Sequence, residues 1–201
     1  MGALATLQHA RELYRRDPER HLADIAVLKC DAFGVDARPH LRDALRPVRG
    51  WLPHIDLDRL RALPEGTFGR AYARFLDEAH LSPFRLTEAV APDVRARNAY
   101  GIRYATTHDM FHVLLGFDTS WVGEMGVLAF AVGQDYAANL RLQALVAWVV
   151  YPLRSGLRLR ALWSAWRRGL RLGRRAPFLL ALRLEDRFAD DLDALRAELF
   201  A

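Results

Sequence analysis

The sequence predicts an all-α protein, a single-domain helical bundle around a central apolar helix. Three observations predict it. Apolar residues recur at three- and four-residue intervals along most of the chain. Capping residues and prolines punctuate them at helical lengths. No β-hairpin signal or internal repeat interrupts the pattern. At 201 residues the chain is long enough for a core of its own, so one helical domain is expected over 1–201. Cys30 is the only cysteine, which excludes an intrachain disulfide and points to a reducing compartment. The net charge of +5 comes almost wholly from arginine, with Lys29 the only lysine, a bias of GC-rich bacterial genomes. The longest apolar run, Ala144 to Tyr151, stops at Pro152, well short of the roughly eighteen residues of a membrane span.

The elements follow in order. Residues 1–17 read as an N-terminal helix; Gly2 and Thr6 fit a myristoylation pattern by coincidence. Asp17-Pro18 predicts a cap and first helical residue, with the helix running to Phe33 and stopped by Gly34. Pro39, Pro47, Pro53 and Pro64 confine the next stretch to short pieces such as Leu57 to Leu63. Thr67 is placed as an N-cap, and Phe68, Tyr72, Phe75 and Leu76 then form one apolar stripe. From Pro92 or Asp93 a long helix is predicted through to Leu115, ended by Gly116. Asp118, Thr119 and Ser120 restart the helix, and Trp121 to Tyr151 is apolar nearly all round, the predicted central helix. Residues 154–175 hold eight arginines and no acid, with Leu159, Leu162, Trp163, Trp166 and Leu170 on one helical face. The end reads as a charged helix with Phe188, Leu192, Leu195 and Leu199 inward.

The chemistry concentrates in Tyr100 to Glu124. His108 and His112 are four residues apart, so both imidazoles leave one helical face, and Asp109 sits about 60° round from His112. Eleven residues separate His112 from Glu124, a carboxylate inside an apolar run, where an unpartnered charge is costly and a divalent cation would remove that cost. Taken alone, paired histidines on an apolar helix can be structural; four ligand-type residues converging from two adjacent helices favour a metal. His9, His21, His40, His54 and His80 lack such company. A His-Asp phosphohydrolase is a second reading, which would recruit His80 and Asp135 to the metal. In the basic segment the tryptophans lie opposite the arginines, which argues against nucleic acid and leaves a membrane surface or core packing.

His108-Asp109, His112 and Glu124 form H-D-x-x-H followed by eleven residues and Glu. This resembles the coenzyme Q biosynthesis protein four family. Leu63-Pro64, Thr67, Gly69 and Tyr72 are similar to that family's L-P-x-x-T-x-G-x-x-Y stretch, and Arg103-Tyr104, Trp166, Gly169 and Gly173 also match. The likeness runs from about residue 20 to 200, but Ala105-Thr106-Thr107 stands where members carry charged residues.

The resemblance implies a ubiquinone biosynthesis protein, peripheral on the inner face of a bacterial inner membrane. It would bind a divalent metal, zinc first with Mg, Mn and Fe as alternatives, through His108, Asp109, His112 and Glu124. Two roles fit. One is oxidative decarboxylation of a polyprenyl hydroxybenzoate, which replaces its carboxylate by hydroxyl; the other is a lipid-binding scaffold for the pathway's other enzymes. A polyprenyl precursor or other isoprenoid would lie along Tyr104, Phe111, Phe117, Trp121, Gly126, Phe130 and Gly133, although close helix packing also uses such glycines. Arg158, Arg160, Trp163, Trp166, Arg167 and Arg171 would meet anionic membrane. A homodimer is left open.

Overall fold

The structure, a computed structural model, describes residues 2–52 and 54–201; Met1 and Pro53 lie outside the described residues. Among the described residues eleven α-helices follow one another: α1 (Ala3–Arg16), α2 (Leu22–Ala32), α3 (Pro39–Arg42), α4 (Leu57–Arg61), α5 (Phe68–Glu78), α6 (Pro92–Arg97), α7 (Ala99–Leu115), α8 (Trp121–Gly133), α9 (Leu140–Arg154), α10 (Leu159–Arg175) and α11 (Leu192–Phe200). No strand occurs among the described residues, so the all-α expectation holds.

α7 is buried on nearly every side, and α8 is the apolar central helix beside it. The ends of α7 are fixed by side chains. Asn98 accepts from the Gly101 amide through Oδ1 and donates through Nδ2 to the Val27 carbonyl, which explains why the predicted helix from residue 92 is two helices: the cap that starts α7 ends α6. At the other end Gly116 takes the left-handed conformation that a glycine tolerates best. Arg196 donates to the carbonyls of Val113 and Leu114, and Arg168 to those of Leu115 and Gly116. The four orphan carbonyls of the last turn are thereby satisfied by cations, as the helix dipole favours.

Arg103 is fully buried midway along α7. It pairs with Glu185 at 2.7 Å and donates to the carbonyls of Leu180 and Leu182. It thus ties the chain after α10 to α7. The Leu63-Pro64 to Tyr72 stretch does the same for the C-terminus: Thr67 caps α5, Tyr72 stacks on Phe188, and the Gly69 amide donates to the Phe188 carbonyl. A Cβ at Gly69 would stand 2.8 Å from that of Phe188, so glycine is needed for the approach.

Three further sequence expectations need correction. Pro18 lies in a turn, where Asp17 accepts from the Arg20 amide, and α2 begins only at Leu22. The run Trp121 to Tyr151 is two helices, since Asp135 turns the chain with a φ of 50° and Gln134 bonds across to the Gly173 and Ala176 carbonyls. The tail is α-helical only from Leu192, after a single 3-10 turn at Leu184–Arg187, and Asp191 caps α11 by accepting from the Ala194 amide.

Candidate metal centre and its groove

Ser120 caps α8 by accepting from the Gly123 amide, which sets Glu124 in the first turn facing α7. Glu124 Oε1 lies 3.3 Å from His112 Nε2, and Oε2 lies 3.6 Å from His108 Nε2. One ligand atom from each of the three residues falls within 4.8 Å of the others, a spacing that could hold a metal ion. His112 is 1 % exposed; its Nδ1 has no hydrogen-bond partner among the described residues, and its Nε2 faces only the Glu124 carboxylate. A buried imidazole with an unmet nitrogen is costly, and a cation held with His108 and Glu124 would take up Nε2. Two imidazoles and one carboxylate form a mixed donor set that leaves coordination positions open, as catalytic rather than structural zinc sites do.

Asp109 does not join the three. Its Oδ1 stands 3.5 Å from Nδ1 of His108, the ring nitrogen turned away from Glu124, and its Oδ2 is buried and unpartnered. It orients His108 from behind, the position in which carboxylates fix the tautomer of a metal-binding imidazole. Burial opposes a charge on His108, but Asp109 and Glu124 outweigh it and raise its pKa. Burial likewise opposes the Glu124 carboxylate, and the facing imidazoles of His112 and His108 overcome it, so its pKa is lowered. The back of His112 rests on Phe75 of α5, with ring centroids 5.5 Å apart.

His108 and Glu124 end a groove of about 440 Å³. Tyr104 and His108 of α7, Glu124 and Leu128 of α8, and Leu142, Gln143, Val146, Ala147, Val150 and Tyr151 of α9 line it. The α9 contribution escaped the sequence reading. Its signal was a helix with large apolar residues where a surface should be polar.

Of the seven residues expected along the lipid, Tyr104 lines this groove, and Trp121 borders it through Tyr151, 5.1 Å away between ring centroids. The others do not. Phe111 and Phe130 are fully buried in the core. A Cβ at Gly126 would run into the Phe117 ring, and one at Gly133 would lie 2.8 Å from the Leu170 carbonyl. These glycines close the α8–α10 contact together with Gly169 and Gly173; they open no channel. The same contact turns Leu162, Ala165, Gly169 and Gly173 on the inner face of α10 onto the protein and leaves only the outer face of 154–175 at the surface. Trp166 is half-buried against Trp148, while Trp163, Arg158, Arg160, Arg167 and Arg171 are exposed. His80 and Asp135 are not part of the cluster. Asp135 pairs with Arg38 at the far end of α8, which removes the ligands that the phosphohydrolase reading needs.

Residues 52–200 match the family described as "Coenzyme Q (ubiquinone) biosynthesis protein Coq4". The chain is 35% identical over 222 residues to the Homo sapiens "Ubiquinone biosynthesis protein COQ4 homolog, mitochondrial", covering 98% of this chain and 77% of that protein. It is 34% identical over 203 residues to the Bos taurus homolog, covering 96% of this chain but only 65% of the bovine protein. Among solved structures, that of a ubiquinone biosynthesis protein from Nostoc punctiforme PCC 73102 superposes with a TM-score of 0.66 at 26% identity, over 98% of this chain and 95% of that one.

Proposed function

Because the chain belongs to the Coq4 family and is thus a ubiquinone biosynthesis protein, we propose that it performs the metal-dependent oxidative decarboxylation of a polyprenyl hydroxybenzoate-type precursor at a membrane surface. The observation that carries this reading is a cluster of two imidazoles and a carboxylate at the end of an apolar groove. His108, His112 and Glu124 hold the cation, zinc first, with Asp109 positioning His108. Such a cation, when bound, supplies Lewis acidity toward a carboxylate and a neighbouring phenolic oxygen. The reaction replaces a carbon–carbon bond by a carbon–oxygen bond, releases carbon dioxide and requires a two-electron oxidant.

The chain's own residues bind and orient. Leu128, Leu142, Val146 and Val150 offer the prenyl tail an apolar wall. Tyr104 stands beside the head-group position with its phenol held protonated, chiefly by burial and then by the nearby Glu124, so it donates a hydrogen bond to an anionic oxygen. No helix of the described residues is long and apolar enough to cross a membrane; a peripheral position on the inner face of a bacterial inner membrane, beside other enzymes of the pathway, suits such a protein.

Metal analysis of the purified protein together with mass spectrometry of its bound lipid tests the reading: a stoichiometric divalent cation and an isoprenoid are expected, and absence of both from the parent protein counts against it. A scaffold role is the second reading, favoured by the apolar outer surface of α9. The two separate on Glu124→Ala: a carboxylated precursor accumulates in cells if the chain is catalytic, whereas a scaffold with intact partner binding leaves the precursor profile unchanged.

A further inference from the structure

On α9 the groove is lined by a stripe that includes Gln143, Ala147, Val150 and Tyr151, residues that follow one another on one side of the helix. The next position of that stripe is Arg154, the last residue of α9. On α8, one turn back from Glu124 lies Trp121. These two positions meet. The Arg154 guanidinium carbon lies over the Trp121 ring, 5.8 Å from its centroid, and Trp121 packs on Tyr151 at 5.1 Å between ring centroids. Arg154 therefore stands at the end of the groove that holds Glu124 and His108. It is exposed, and no carboxylate of the described residues lies within 4.0 Å of it. We propose that Arg154 is a specificity-determining residue of this site, its guanidinium pairing with the carboxylate of the prenylated substrate.

The groove needs such a cation and its walls do not carry one. Its lining residues include no lysine or arginine, and Glu124 places a negative charge at the end where the head group would sit. An amphiphile with an ionised carboxylate would otherwise set that charge against apolar side chains, at a high desolvation cost. Arginine suits the task because its planar fork engages both carboxylate oxygens at once, and the face of an aromatic ring holds that plane in place. A role as partner of the helix dipole accounts for a basic residue in the last turn of α9, but not for its seat on Trp121 at the mouth of the groove. Arg158, the next arginine in the chain, is equally exposed and lies over no aromatic ring among the described residues. The pair also gives the site a direction. The precursor carries a carboxylate and the product of its decarboxylation does not, so the contact holds the substrate and is lost with the carbon dioxide, which favours release of the product. The inference rests on the proposed function for the identity of that carboxylate.

The test is isothermal titration of the protein as purified with a geranyl hydroxybenzoate, with the geranylphenol that lacks only its carboxylate, and with geranyl phosphate. Arg154→Gln should weaken binding of the acid about tenfold or more and leave that of the phenol within about twofold of the parent. Arg154→Lys keeps the charge without the fork and should recover part of the loss, which separates a missing ion pair from a damaged helix end. Arg158→Gln makes the same charge change at the neighbouring exposed arginine and should bind both ligands like the parent. An Arg154→Gln protein that keeps the parent's affinity for the acid overturns the proposal, as does one that loses acid and phenol alike. An equal loss in Arg158→Gln also overturns it, since the effect would then belong to the basic surface as a whole. Geranyl phosphate that binds more tightly than the acid, and does so through Arg154, would assign the guanidinium to a phosphate head group instead of a carboxylate. Failure of the proposed function reads differently. A parent that binds neither geranyl ligand defeats the groove and this inference together, whereas the expected loss in a protein that leaves the acid unconverted supports Arg154 and counts against the chemistry alone.

Discussion

Asp109 stands behind His108, and the coupling has a consequence in pH. Since Asp109 and Glu124 hold the His108 pKa above its ordinary value of 6.5, a proton competes for this ring at pH values where a free histidine is already neutral. A protonated imidazole cannot bind metal, so affinity should fall as pH drops, with a midpoint above 6.5. Asp109→Asn removes the main favourable partner and should move that midpoint down. Chelator competition across pH measures it, and an unmoved midpoint would mean that Asp109 does not govern the ring. A second residue-scale expectation concerns Cys30, whose thiol is pushed up to about 11, first by burial and then by Asp31. At pH 8 it should carry about one hundredth of the thiolate of a cysteine at the ordinary 9.0, so iodoacetamide should label it slowly until urea unfolds the chain. At this scale His108, His112 and Glu124 were legible in the sequence, because i, i+4 spacing and a carboxylate stranded among apolar residues are patterns along the chain. The role of Asp109 was not: an angle of about 60° says where a Cβ points, not which side chain lies between it and the cluster.

Between elements, the information missing from the sequence is the identity of the neighbour. Gly126 and Gly133 lie seven residues apart on one face, a pattern that serves an open channel and a close helix contact equally well. What decides is α10, which brings Gly169 and Gly173 against the same face so that the two backbones nearly touch. Gly133→Leu and Gly169→Leu should each lower stability by about 1–3 kcal/mol, read as an earlier thermal or urea transition. A variant that melts with the parent would show that this contact can yield. The same blindness lengthened the predicted central helix: the apolar run from 121 to 151 carries little sign of the turn beyond Asp135 and Asn139, and the bonds that fix it come from Gln134 to residues 173 and 176. The breaks at Gly34 and Gly116 and the caps at Thr67 and Ser120 were legible because each is a local event.

The groove exists only in the assembled molecule, where three consecutive helices, α7, α8 and α9, converge on it. No single stretch announces it. α7 supplies Tyr104 and His108, α8 supplies Glu124 and Leu128, and α9 contributes the long apolar wall that also faces outward. Its volume of about 440 Å³ is in the range of small-molecule sites, and the proposed prenyl chain would seat part of its length there beside the cluster. Filling the groove should therefore separate lipid from metal. Leu142→Trp and Val146→Trp enlarge side chains that are more than half exposed, so neither should cost the fold much, and neither replaces one of the three residues of the cluster. Each should carry a full complement of metal while its co-purifying isoprenoid falls several-fold, as read by mass spectrometry and metal analysis of the same sample. Loss of metal along with the lipid would mean that the cluster depends on the shape of the groove. Parent levels of isoprenoid in both variants would place the lipid elsewhere on the molecule, because a tail seated between α7, α8 and α9 has no way past an indole at position 142 or 146.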